Sequence, residues 1–101
     1  MIDVDMRVTF STAAHQELLD AVDYLNLQSE GLGFEFAAEV RRTLDRIVGF
    51  PEAWTKLSAR ARKCRTDRFP YGVIYQLHSE EIRIVAVMHM HRDPQEWQKR
   101  V

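Results

Sequence analysis

One cysteine in 101 residues, Cys64, leaves no partner for an internal disulfide. No apolar run reaches the ~18 residues a membrane span needs, and no basic-then-apolar segment opens the chain as a secretion signal would. The cytoplasm is therefore the expected compartment. Net charge is scarce as well, because 14 Lys and Arg against 15 Asp and Glu leave −1. What is present is apolar surface: 46% hydrophobic residues beside 29% charged is enough to build a core and excludes a disordered polar chain. At 11.9 kDa the expectation is one domain spanning residues 1–101.

The small net charge conceals a division along the chain. Residues 1–40 hold one base, Arg7, and eight acids; residues 41–68 hold nine bases and three acids; the remainder holds four of each. Two readings fit: oppositely charged helix faces that solvate the protein, or a bipolar surface whose basic half meets an acidic or anionic partner.

Val4 to Phe10 alternates apolar and polar residues and reads as a strand with one buried face. Ser11 or Thr12 caps a helix carrying the stripe Ala14, Leu18, Ala21, Val22 and Leu25. Gly31 and Gly33 interrupt it. A second helix begins there, with Phe36, Ala37, Val40, Leu44 and Ile47 inward and Arg41, Arg42, Asp45 and Arg46 outward, and it ends at Gly49-Phe50-Pro51. Residues 51–60 show no periodicity and read as a loop pinned by Trp54 and Leu57. Three strands follow, at Lys63–Arg68, Tyr71–Leu77 and Glu81–Met90, as an antiparallel meander. Ile84 to Met88 is apolar on both faces, so the sheet needs cover on both, from the helical hairpin and from a short C-terminal helix that Pro94 starts and Trp97 anchors. The expected fold is thus α+β, ordered β-α-α-β-β-β, a helical hairpin on a largely antiparallel sheet.

This order, together with Phe69-Pro70-Tyr71-x-x-x-Tyr75, Ile82-x-Ile84-x-Ala86-Val87-x-His89 and Arg92-x-Pro94-x-x-Trp97, resembles the RelE/ParE superfamily of toxin–antitoxin toxins. Phe10-Ser11-x-x-Ala14, Gly33-x-x-Phe36 and Phe50-Pro51 fit it too. The Phe-Pro-Tyr and Arg-x-Pro-x-x-Trp combination is closer to the ParE, plasmid-stabilisation branch. The resemblance implies a toxin held inactive by a cognate antitoxin whose C-terminal segment wraps it. ParE-like members poison DNA gyrase without catalytic residues of their own; RelE-like members cut mRNA in the ribosomal A site with basic residues and often a tyrosine near the C-terminus. Here only Gln98, Lys99, Arg100 and Val101 follow Trp97, and the chain is not basic overall, which counts against ribonuclease action. A relative that only binds its partner is a third possibility.

Three groups of residues could carry function. The run Arg60, Arg62, Lys63, Arg65, Arg68 is open to three readings: charge protecting a sheet edge, a phosphate-contacting patch for RNA cleavage, or a surface for an acidic antitoxin tail. His89 and His91 share a face if the strand continues, a spacing that suits two metal ligands or an acid–base pair working with Tyr75 and Arg92; more often such residues are structural, Arg92 pairing with Asp93, Glu96 or a carbonyl and His89 closing a hydrogen bond at the end of the sheet. No acid or further soft ligand completes a metal set, so neither metal nor cofactor is expected. Were the protein a ribonuclease, its site would comprise Arg62, Arg65, Tyr75, His89, His91 and Arg92. Leu25, Leu27, Leu32 and Phe34 crowd the junction of the helices, as a local mini-core or as a groove for an antitoxin helix. Partner contacts are accordingly expected at Arg60, Arg62, Lys63, Arg65, Arg92, Leu25, Leu32 and Phe34. His15 and His78 read as surface residues.

Overall fold

The computed structural model describes residues 6–92 and 95–100. Strand β1, Arg7–Phe10, leads into α1, Thr12–Gln28, and α2, Leu32–Gly49. Four strands follow, β2 at Thr55–Lys56, β3 at Ala61–Arg65, β4 at Tyr71–Leu77 and β5 at Glu81–His89. A single helical turn, α3 at Gln95–Gln98, comes last. The five strands form one mixed sheet in the order β1-β5-β4-β3-β2, antiparallel throughout except for the parallel pairing of β1 with β5.

Of the two candidate caps, Ser11 takes the role: its Oγ accepts the Ala14 N–H at 3.1 Å, satisfying one of the donors a helix start leaves free. The hairpin closes tightly because Gly33 sits where α2 crosses α1. A Cβ there would lie 2.1 Å from the Val22 carbonyl oxygen, and the Gly33 N–H donates to Asn26 Oδ1 at 2.7 Å. Only glycine allows that approach.

Several expectations need correction. The segment 51–60 is not a plain loop: Thr55 and Lys56 pair with Lys63 and Arg62 as a short edge strand. Two residues are too few to show a period of two, which is why the sequence conceals it. The following strand occupies Ala61–Arg65 rather than Lys63–Arg68, because residues 66–70 turn, with Thr66 Oγ1 donating to the Phe69 carbonyl at 2.6 Å. Arg68 therefore lies outside the strand. The last strand ends at His89, and His91 lies in the turn beyond it. Arg46 does not stand clear of the core; it reaches across to the 65–67 turn. The expected C-terminal helix is no more than the α3 turn, and its proposed start at Pro94 lies outside the described residues, as do the Val4 and Asp5 ends of the first strand.

Two clusters of unequal size cover the sheet. The hairpin side joins Phe36, Val40 and Ile47 of α2 to Val73 and Tyr75 of β4 and Ile82, Ile84 and Val87 of β5. Among the described residues, the cluster on the opposite side consists of Ala61, Ile74, Val85, Ala86, Met88 and Trp97, with Leu57 partly buried against them. A β-bulge where Ile74 and Tyr75 face Ala86 and Ile84 lets Val85 and Ala86 both fall on that second side.

Candidate functional site

Aromatic packing holds the end of the sheet where β4 begins and β5 ends. Phe36 meets Phe69 at 5.2 Å and Tyr71 at 4.6 Å between ring centroids, and Tyr71 meets the His89 ring edge-on at 5.2 Å. The turn carrying Phe69 is tied down by Glu39, which is 1% exposed. Its Oε2 accepts the Arg68 N–H at 2.7 Å and the Phe69 N–H at 3.4 Å. The Phe-Pro-Tyr stretch thus builds the fold.

Glu17 of α1 plays the matching role at the other edge. Past Ile84 strand β5 outruns β1, leaving backbone groups without a strand neighbour. The carboxylate accepts the Val87 N–H at 2.9 Å and hydrogen bonds from Arg100 Nη1 and Nη2 at 2.9 and 3.0 Å, while Arg100 Nη1 also donates to the Val85 carbonyl at 3.0 Å. A charged pair thereby caps an edge that would otherwise invite pairing with another chain. Sequence reading missed both Glu17 and Glu39. The available signal was position: Glu17 stands three residues after buried Ala14, and Glu39 three after buried Phe36, so each is an acid on an apolar stripe.

Residues named for ribonuclease chemistry do not meet in one place. The Tyr75 hydroxyl donates to the Pro51 carbonyl, and burial pushes its pKa up to about 12, against the partial relief of nearby Arg62. Arg62 lies on that same helix-covered side and donates to the Glu52 and Trp54 carbonyls, both at 3.0 Å, holding the approach to β2. His89 and His91 lie four residues further along the sheet, beside Tyr71, with ring centroids 5.1 Å apart. The His91 N–H donates to His89 Nδ1 at 3.1 Å. Arg65 is exposed on the opposite side of the sheet, opposite Gly72.

Arg92 is about half exposed, with Nη1 3.7 Å from Glu17 Oε2. Its other proposed partners, Asp93 and the Glu96 side chain, lie outside what is described. Beside it a hollow of about 330 Å³ opens between α1 and the sheet end, with Glu17, Asp20 and Tyr24 on one wall and Tyr71, His89 and Arg92 on the other. Burial raises the Tyr71 pKa, the neighbouring Tyr24 adds to the rise, and Arg92 opposes it. Among the described residues no group of three or more His, Cys, Asp or Glu side chains gathers as a metal site.

The basic run also divides. Arg68 pairs with Glu35 at 2.8 Å and lies over the Phe69 ring. Arg46 takes Asp67 with a single nitrogen, Nη1, at 3.0 and 2.9 Å, and its Nη2 donates to the Arg65 carbonyl at 2.8 Å. The hydrogen bond to Asp67 keeps the Arg46 pKa raised although burial, the largest influence, acts to lower it. Arg60, Lys63 and Arg65 have no ion pair among the described residues. At the hairpin, Leu25 belongs to the core and Leu32 packs against it, whereas Leu27 and Phe34 are 86% and 68% exposed. The junction is a mini-core with two apolar side chains left outside.

This architecture, a helical hairpin on one side of a five-stranded mixed sheet, recurs in a solved structure. A chain of the chromosomal ParDE TA system from P. aeruginosa superposes with a TM-score of 0.74, covering 86% of this chain and 98% of that one at 11% identity. No curated protein matches the sequence. The family described as ParE toxin of type II toxin-antitoxin system, parDE, matches residues 8–94, and the chain belongs to that family. No helix among the described residues is long and apolar enough to cross a membrane.

Proposed function

We propose that the chain is a cytoplasmic toxin that arrests growth by poisoning DNA gyrase and that a cognate antitoxin neutralises. In this role it would stabilise a plasmid or other element that encodes the pair. The observation that carries the reading, beyond family membership, is the dispersal of the acid–base candidates. Tyr75 and Arg62 are engaged with backbone carbonyls, and His89, His91 and Arg92 stand at the far end of the sheet. A general base and a charge-stabilising cation must reach the same phosphodiester. A poison that holds a cleaved gyrase complex needs only a surface.

The antitoxin half of the reading draws on two features. Exposed Leu27 and Phe34 offer apolar anchors for a partner helix at the hairpin tip, a role the buried Leu25 cannot share. Arg60, Lys63 and Arg65, with no ion pair among the described residues, offer positive charge for an acidic segment. Incubating the purified chain with gyrase and supercoiled plasmid tests the target: linear DNA should accumulate after protein denaturation, and the antitoxin should prevent it. Untouched plasmid, together with codon-specific cuts in mRNA added to a translating extract, would transfer the protein to the ribonuclease branch.

A further inference from the structure

The sheet's second side is built differently from everything else in the molecule. Strand register sets its membership: Lys63 faces Ile74, which faces Ala86; Arg65 faces Gly72, which faces Met88; and Thr9 and Gln76 flank Arg83. Directly opposed residues share a face. Among the described strand residues this side carries Arg7, Lys63, Arg65 and Arg83, and Glu81 is its one acid. That acid is engaged, accepting the Thr9 hydroxyl, which holds its pKa below the usual carboxylate range.

On this side lies an apolar hollow of about 130 Å³ lined by Leu57, Ile74, Met88, Met90 and Trp97, with Lys63 and Arg92 also in its lining. Sites for cofactors and nucleosides begin at about 300 Å³, so this hollow suits one side chain. Among the described residues lining the hollow, the one large aromatic, Trp97, is 6% exposed and offers no open face on which a nucleic-acid base would stack. Two methionines supply walls that adapt to an aliphatic or aromatic anchor.

We infer that the second side of the sheet docks an acidic protein segment that inserts one large apolar side chain into the hollow, while its flanking carboxylates meet Lys63, Arg65 and Arg92. The charge complementarity selects this occupant: four bases against one engaged acid, on a face whose centre is apolar. The inference rests on the antitoxin reading only for where the segment comes from; the surface itself is independent of the target.

The probe is a short synthetic peptide of glutamates around one central leucine, labelled with fluorescein and titrated with the full chain at low salt while anisotropy is read. A control peptide carries serine in place of the leucine. Saturable binding should weaken about tenfold with the serine peptide, and a tenfold change is about 1.4 kcal/mol. Lys63→Glu with Arg65→Glu should abolish it, and raising the salt should diminish it. Gly72→Ala should weaken the leucine peptide alone, because the new Cβ meets Cδ of Lys63 at 3.1 Å and Sδ of Met90 at 3.3 Å and narrows the hollow. Circular dichroism confirms that each variant is folded.

Equal binding of the two peptides would overturn the anchor, and unchanged binding by the charge variant would overturn the site. A single-stranded oligonucleotide that displaces the peptide and binds more tightly would overturn the occupant in favour of nucleic acid. Gyrase cleavage is scored separately on the same protein. Peptide binding without gyrase cleavage removes the target reading and leaves this inference standing; gyrase cleavage without peptide binding does the reverse.

Discussion

The two sides of the sheet differ in what their polar groups do. Beneath the hairpin nearly every charged or polar group that enters has a backbone partner: Glu39 holds the 68–69 turn, Glu17 caps β5, Tyr75 and Arg62 fasten the 51–55 stretch, and Arg46 clasps the 65–67 turn. Such groups are costly to leave unmatched in the interior and are consumed by the fold. On the opposite side the apolar cluster is thin, and Lys63 and Arg65 have no ion pair among the described residues. In a protein this small, charge not spent on the structure is the charge available to a partner.

The largest expected contrast comes from truncating one apolar residue on each side. Phe36→Ala, at the centre of the aromatic cluster, should cost about 3–5 kcal/mol in urea unfolding, while Met88→Ala, bordering an existing hollow, should cost about 2 kcal/mol. Equal losses would erase the distinction. Next, Glu17→Ala should cost about 3 kcal/mol, because Arg100 loses its carboxylate and the Val87 N–H its acceptor in one step. A negligible loss would show that the open β5 edge needs no cap.

Tyr75→Phe sharpens the comparison through pH. At neutral pH it should cost about 1 kcal/mol, the hydrogen bond to Pro51. A free tyrosine loses its proton near about 10, whereas Tyr75 in the fold holds it to about 12. Between these values the unfolded chain binds fewer protons than the folded one, so stability falls as pH rises. The phenylalanine variant lacks that contribution, and its deficit should close and then reverse across the window. Parallel curves for the two proteins would place the hydroxyl in solvent. Smallest of all, Arg92→Ala should change stability by less than about 1 kcal/mol, since Glu17 keeps its Arg100 contacts. Exposed just beyond the end of β5, Arg92 is placed to meet the target, and its loss should nonetheless remove toxicity. Melting and growth assays on the same variant check both halves.

Much of this fold was legible because periodicity reports burial. The two helical stripes, the three meander strands and the need for cover on both sides of Ile84–Met88 are local patterns, and the structure contains each of them. What stayed hidden depends on contacts distant in sequence. Arg62 and Lys63 are adjacent bases of one run; pairing with β2 and β4 turns Arg62 toward the Glu52 and Trp54 carbonyls and leaves Lys63 beside the hollow. Alternation separates such neighbours but does not say which of them finds a buried acceptor. Arg46 looked external because it stands off the apolar stripe of α2; only the arrival of the 65–67 turn gives its guanidinium partners. As for the candidate site, composition and order pointed to the family, while the division of the bases between structure and surface required the register.

The central claim is that the helix-covered side makes the fold and the other side makes the contact. Lys63→Glu with Arg65→Glu puts it to the test when thermal midpoint and rescue from growth arrest by the co-expressed antitoxin are measured together. The account predicts a midpoint within a few degrees of the parent protein and toxicity that the antitoxin no longer relieves. A midpoint lowered as far as that of Phe36→Ala, or full rescue by the antitoxin, would contradict it.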